Sequence, residues 1–98
     1  MERLSVDPLR LASICQRHRV RRLALFGSVL RDDFRPDSDL DVLVEFEPGA
    51  VPGLGFFDLE AELTDLFGRR VDLNTQAFLS HFFRESVVAE AEDLYVAA

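Results

Sequence analysis

Hydrophobic and polar residues change period several times along this chain, and each change predicts an element. Asp7-Pro8 reads as a helix cap followed by proline at the first helical position, where a missing N–H has no partner to lose. Leu11, Ile14, Cys15 and His18 then recur at helical spacing, which predicts a helix over about 8–18. Arg22-Leu23-Ala24-Leu25-Phe26 is a short apolar run stopped by Gly27-Ser28, and Asp39 to Phe46 alternates until Glu47-Pro48-Gly49 ends it. Both read as strands. The Gly/Pro-rich stretch from Pro48 to Gly55 reads as one loop. Beyond it Phe56, Leu59, Leu63, Leu66 and Phe67 form an apolar stripe over about 56–67, with Gly68 as terminator. Val71-Asp72-Leu73-Asn74 predicts a third strand, and Phe78, Leu79, Phe82 and Phe83 mark a third helical stretch. Leu94-Tyr95-Val96 adds a final strand. The order is that of a mixed α/β (α+β) sandwich.

Strand alternation assigns faces. Leu40, Val42, Val44 and Phe46 share one side, and Asp39, Asp41, Leu43 and Glu45 share the other. The apolar set must cover the helices. Val71 and Leu73 face that same core, which turns Asp72 toward the open side with Asp39 and Asp41. Ala24, Phe26 and Leu43 are expected on the open side too, wet in an isolated monomer.

Composition narrows the chemistry. The 98 residues carry 18 Asp plus Glu against 11 basic residues, a formal charge of −7, with 48% hydrophobic residues. That length predicts a single domain, 1–98, with no room for a second substrate-binding domain. All basic residues are Arg, and the absence of Lys removes lysine-bearing phosphate loops and Schiff-base chemistry. One Cys excludes an internal disulfide and a Cys-rich zinc site. The acidic balance argues against direct nucleic-acid binding and favours a basic partner or a divalent metal. There is no apolar run long enough for a membrane helix and no signal-peptide core, so a cytoplasmic location is expected, away from membranes.

Two carboxylates at i and i+2 on a strand repel one another, and their closeness calls for a cation or full solvation. Mg²⁺ is the natural candidate, since it takes oxygen ligands and is commonly held by one or two carboxylates plus nucleotide phosphates. Asp72 on a neighbouring strand permits a second ion, and two ions can flank an in-line displacement at phosphorus. Gly27-Ser28 supplies a turn with no Cβ at Gly27, a hydroxyl at Ser28 and backbone amides free to face an anion. Taken singly, the turn is most simply structural and the Asp pair most simply a solvated strand end.

Together they resemble a known family. Leu25-Phe26-Gly27-Ser28, followed by Ser38-Asp39-Leu40-Asp41-Val42-Leu43-Val44-Glu45-Phe46, is similar to the nucleotidyltransferase superfamily of DNA polymerase beta. The likeness is closest to its minimal (MNT) branch, the MntA-like antitoxins encoded beside HEPN-domain toxins. Gly68-Arg69-Arg70-Val71-Asp72-Leu73 looks like that family's third-carboxylate strand, and the likeness extends over about residues 8–96. The resemblance implies the nucleotidyltransferase fold, with helices on one sheet face and the active site on the open one. It implies ATP as substrate and Mg²⁺, two ions, as cofactor. Gly27 and Ser28 would hold the triphosphate with Arg31 as a phosphate contact. Asp39 and Asp41 would bind both metals, and Asp72 would bind the catalytic metal and assist deprotonation of the acceptor. The acceptor implied is a tyrosine hydroxyl on a cognate HEPN ribonuclease toxin, silenced by AMP transfer within a hetero-oligomer. The chain departs from the family's Gly-Ser-x-Ala-Arg-Gly at Asp32, which stands where that pattern has its second Gly.

Two other functions are compatible with the residues. One is a non-catalytic antitoxin that blocks its partner by stoichiometric contact, and the other is a small-molecule nucleotidyltransferase subunit of the aminoglycoside type. Arg35 is a weaker phosphate candidate than Arg31. His18, His81, Cys15 and Tyr95 are expected to pack rather than react.

Overall fold

The computed structural model describes residues 6–27, 39–50, 52–75 and 91–97. Among them the chain order is α1 (Pro8–Arg17), β1 (Val20–Phe26), β2 (Leu40–Phe46), α2 (Gly55–Phe67), β3 (Val71–Asn74) and β4 (Glu92–Val96). The helical stretch expected around 78–83 lies outside the described residues.

The local signals act as their chemistry dictates. Asp7 Oδ1 accepts the Leu9 N–H at 2.9 Å, with Pro8 opening α1. The helix ends at His18, after which Arg19 takes the left-handed region at φ 57° and its carbonyl accepts the Glu47 N–H at 2.9 Å. That bond ties the entry to β1 to the exit from β2. At the far end of α2, Gly68 takes φ 73° and donates to the Thr64 carbonyl at 3.0 Å.

The four strands lie in the order β3-β2-β1-β4. β1 pairs antiparallel with β2 and β4, while β2 and β3 run parallel, joined through α2. β1 starts two residues before the apolar run because it contains a bulge. Val20 pairs with Phe46 and Arg22 with Glu45, so Arg21 is the extra residue. The bulge shifts the alternation by one, which puts Val20, Leu23 and Leu25 in the core and Arg22 on the opposite face.

Both helices cover one side of the sheet. Leu11, Ile14 and Cys15 from α1 and Leu59 and Leu63 from α2 pack with Leu23, Leu25, Leu40, Val42, Val44, Val71 and Leu73. Burial there pushes the Cys15 thiol up to about 12, as expected of a small core residue. The helices are also linked at the surface, where Arg17 Nη2 donates to Glu62 Oε1 at 2.7 Å and His18 Nε2 meets Oε2. The His18 bond, followed by that from Arg17, holds the Glu62 carboxyl below its usual range. No helix among the described residues is long and apolar enough to cross a membrane.

Candidate active site

On the side away from the helices, three strands set their side chains in rows. Phe26 on β1 is the cross-strand partner of Asp41 on β2, and Asp41 is the partner of Asp72 on β3. The two carboxylates therefore stand abreast on neighbouring strands, whose backbones lie about 4.8 Å apart. Asp39 immediately precedes β2, two residues from Asp41 and on its side of the pleat. Asp41 is half-buried, and Asp39 and Asp72 are exposed. The alternation of β2 and β3 thus brings all three predicted acids to one side of the sheet.

Gly27 serves Asp41. Directly after β1 the chain turns with Gly27 at φ 76°, a conformation that suits glycine. The Asp41 side chain fills the space a Cβ would need: built there, that atom would overlap Oδ2 and stand 3.1 Å from Cγ. Turn preference alone does not reveal this contact. The sequence reading gave Gly27 to the triphosphate, whereas its close neighbour in the structure is the Asp41 carboxylate. Ser28 and Arg31, the other expected nucleotide contacts, lie outside the described residues.

The adjoining row corrects an expectation. Ala24 and Leu43, cross-strand partners, are 0% and 1% exposed, so the chain itself covers them and they are not wet. Phe26 is half-buried. Beside Leu43 in the parallel register stands Asn74, whose Nδ2 donates to the Asp72 carbonyl at 3.1 Å. One row further, Arg22 crosses three strands: Nη1 donates to Glu45 Oε2 at 3.3 Å and Nε donates to Asp93 Oδ1. These bonds, Asp93's first, raise the already high pKa of the guanidinium. The same face thus holds the paired charges of Arg22, Glu45 and Asp93 at one end and the carboxylates Asp41 and Asp72 at the other.

The donor set at the acidic end is all carboxylate oxygen, the chemistry that suits Mg²⁺ and disfavours thiophilic metals. Among the described residues no group of three or more His, Cys, Asp or Glu side chains is drawn together closely enough to hold a metal ion. Asp41 and Asp72 are the adjacent pair of carboxylates in this row, and Asp39 stands just before β2.

Sheet, helices and acidic row together define a class of protein. The chain belongs to the nucleotidyltransferase domain family, whose pattern matches residues 10–94. It is therefore a nucleotidyltransferase, acting on a nucleotide substrate. Over 76 residues it is 40% identical to the protein adenylyltransferase MntA of Thermococcus cleftensis, covering 76% of this chain and 75% of that protein. A solved structure provisionally described as a minimal nucleotidyltransferase matches with a TM-score of 0.73 and 41% identity, over 89% of this chain and 88% of that one. Two toxin–antitoxin structures share the fold at lower identity. One, with AMP-PNP, has a TM-score of 0.71 and 18% identity over 94% of this chain and 75% of that one. The other, a tri-AMPylated Shewanella oneidensis HEPN toxin with its MNT antitoxin, has a TM-score of 0.62 and 17% identity over 92% and 70%. The mixed sheet with helices on one side is the arrangement the sequence resemblance implied.

Proposed function

We propose that this chain is a Mg²⁺-dependent protein adenylyltransferase that acts as an antitoxin, transferring AMP from ATP to a tyrosine hydroxyl of a cognate HEPN ribonuclease. The observation that carries the reading is the row Phe26, Asp41, Asp72, with two carboxylates abreast on the sheet face opposite α1 and α2. The name of the Thermococcus relative supports a protein as the acceptor.

In this reading Asp39, Asp41 and Asp72 hold Mg²⁺, which when bound with the nucleotide offsets the charge of the phosphates. Gly27 lets the Asp41 carboxylate lie close under the turn, and the backbone there, with Ser28 and Arg31, receives the triphosphate. Asp72 takes the proton of the acceptor hydroxyl as its oxygen bonds to the α-phosphorus and the bond to pyrophosphate breaks. The excess of seven negative charges speeds encounter with a basic partner.

The test mixes the chain with a cognate HEPN ribonuclease, ATP and Mg²⁺, and follows intact mass and RNase activity. One or more adenylate additions to a toxin tyrosine, with loss of RNase activity, are expected. Neutralisation that needs no nucleotide and leaves the toxin mass unchanged would establish stoichiometric blocking instead.

A further inference from the structure

Among the described residues β3 has a neighbouring strand on one side alone, yet it carries Asp72. A parallel strand turns its N–H groups alternately toward and away from its partner. The Leu40 N–H donates to the Arg70 carbonyl at 2.9 Å, which sets the phase: Asp72 and Asn74 face β2, and the N–H groups of Val71 and Leu73 point outward. An outward N–H on a sheet edge ordinarily meets water or another chain. Here both meet α2. Val71 donates to Thr64 Oγ1 at 3.1 Å and Leu73 donates to Glu60 Oε2 at 3.0 Å. Glu60 and Thr64 are four residues apart on the helix, one turn above the other, beside the core residues Leu59 and Leu63.

We propose that Glu60 and Thr64 are positioning residues of the active site. They clamp the outer side of β3 immediately before and after Asp72, and so hold its carboxylate in register with Asp41. A strand held along one side is free to twist or slip about that side, and a displacement of about 1 Å at a reacting group is enough to lower a rate many-fold. The clamp removes that freedom through two main-chain bonds. The assignment rests on the reading of Asp72 as a metal ligand and proton acceptor.

The test uses the full chain with Glu60→Ala, Glu60→Gln, Thr64→Val and Thr64→Ser. It measures amide exchange at Val71 and Leu73, broadening of the Asp72 resonances by Mn²⁺, and kcat and KM for AMP transfer. Glu60→Ala should speed Leu73 exchange, and Thr64→Val should speed Val71 exchange, by roughly tenfold or more, the effect of losing a partly buried hydrogen bond. Both should raise the Mn²⁺ concentration needed for half-broadening at Asp72 and lower kcat more than they raise KM for ATP. Glu60→Gln and Thr64→Ser keep an acceptor oxygen and should restore all three readouts. Thr64→Val preserves side-chain shape and carries the comparison if Glu60→Ala does not fold. Faster exchange with native Mn²⁺ response and native kcat would overturn the positioning role, as would failure of Glu60→Gln to rescue. Unchanged exchange would overturn the clamp itself. A native chain that neither transfers AMP nor shows Mn²⁺ broadening at Asp72 would overturn instead the functional reading beneath it.

Discussion

The two faces of this sheet are built from the same strands and follow opposite rules. Toward the helices, Leu23, Leu25, Leu40 and Val42 are fully buried among apolar neighbours, and each derives its stabilising effect from exclusion of water. Toward the other side, the sheet presents Arg22 paired with Glu45 and Asp93 at one end and the carboxylates Asp41 and Asp72 at the other, with the buried Ala24 and Leu43 between them. Because side chains alternate, a single residue step separates a position that stabilises the fold from one that serves chemistry. Leu40, Asp41 and Val42 show this within three residues. A substitution on one face should therefore leave the property of the other face almost intact.

Asp41→Asn should make the largest difference. Its oxygen keeps the size but loses the charge, and AMP transfer should fall by about a thousandfold or more, the scale of several kcal/mol of lost charge stabilisation. Its melting temperature should change by no more than a surface substitution allows. A large loss of stability would show that the acidic row also supports the fold. Leu63→Ala sharpens the opposite side: truncating this fully buried side chain should cost about 2–5 kcal/mol in denaturant unfolding while the folded fraction keeps native kcat. A smaller effect is expected from alkali. The folded Cys15 thiol titrates near 12 and the unfolded thiol near 9.0, so above pH 9 the unfolded chain releases a proton that the folded chain retains. Stability then falls as pH rises, by up to about 1.4 kcal/mol per pH unit within that window, and Cys15→Ala should lack this component. Equal slopes for the two proteins would show that the thiol is accessible when folded.

Much of the covered face was legible in the residues. Apolar spacing, the Asp7-Pro8 start and the Gly68 stop each act through their own neighbours within one turn of chain, so a local pattern records them. The alternation of Asp39, Leu40, Asp41 and Val42 assigned the faces of β2 for the same reason. Features that depend on distant partners left no such record. Nothing periodic distinguishes Arg21 as a bulge, because that depends on how β1 meets β2 across the hairpin. Glu60 and Thr64 look like ordinary polar helix positions until β3 is laid beside them. Ala24 and Leu43 gave the wrong impression, since alternation tells which side a residue faces and not whether that side is covered.

The contact between Gly27 and Asp41 has a consequence for how this chain can change over generations. The two positions share one volume, so a side chain gained at 27 displaces the one at 41, and the effects of substitutions at the two sites should not add. They form an epistatic pair in which shortening 41 relieves the clash of an alanine at 27 but not the strain of its left-handed backbone, and by then the acid is already gone. Lineages that lose the glycine first meet a clash, and those that lose the aspartate first meet inactivity. Neither order passes through a functional intermediate, so the glycine and the acid should be kept together or lost together.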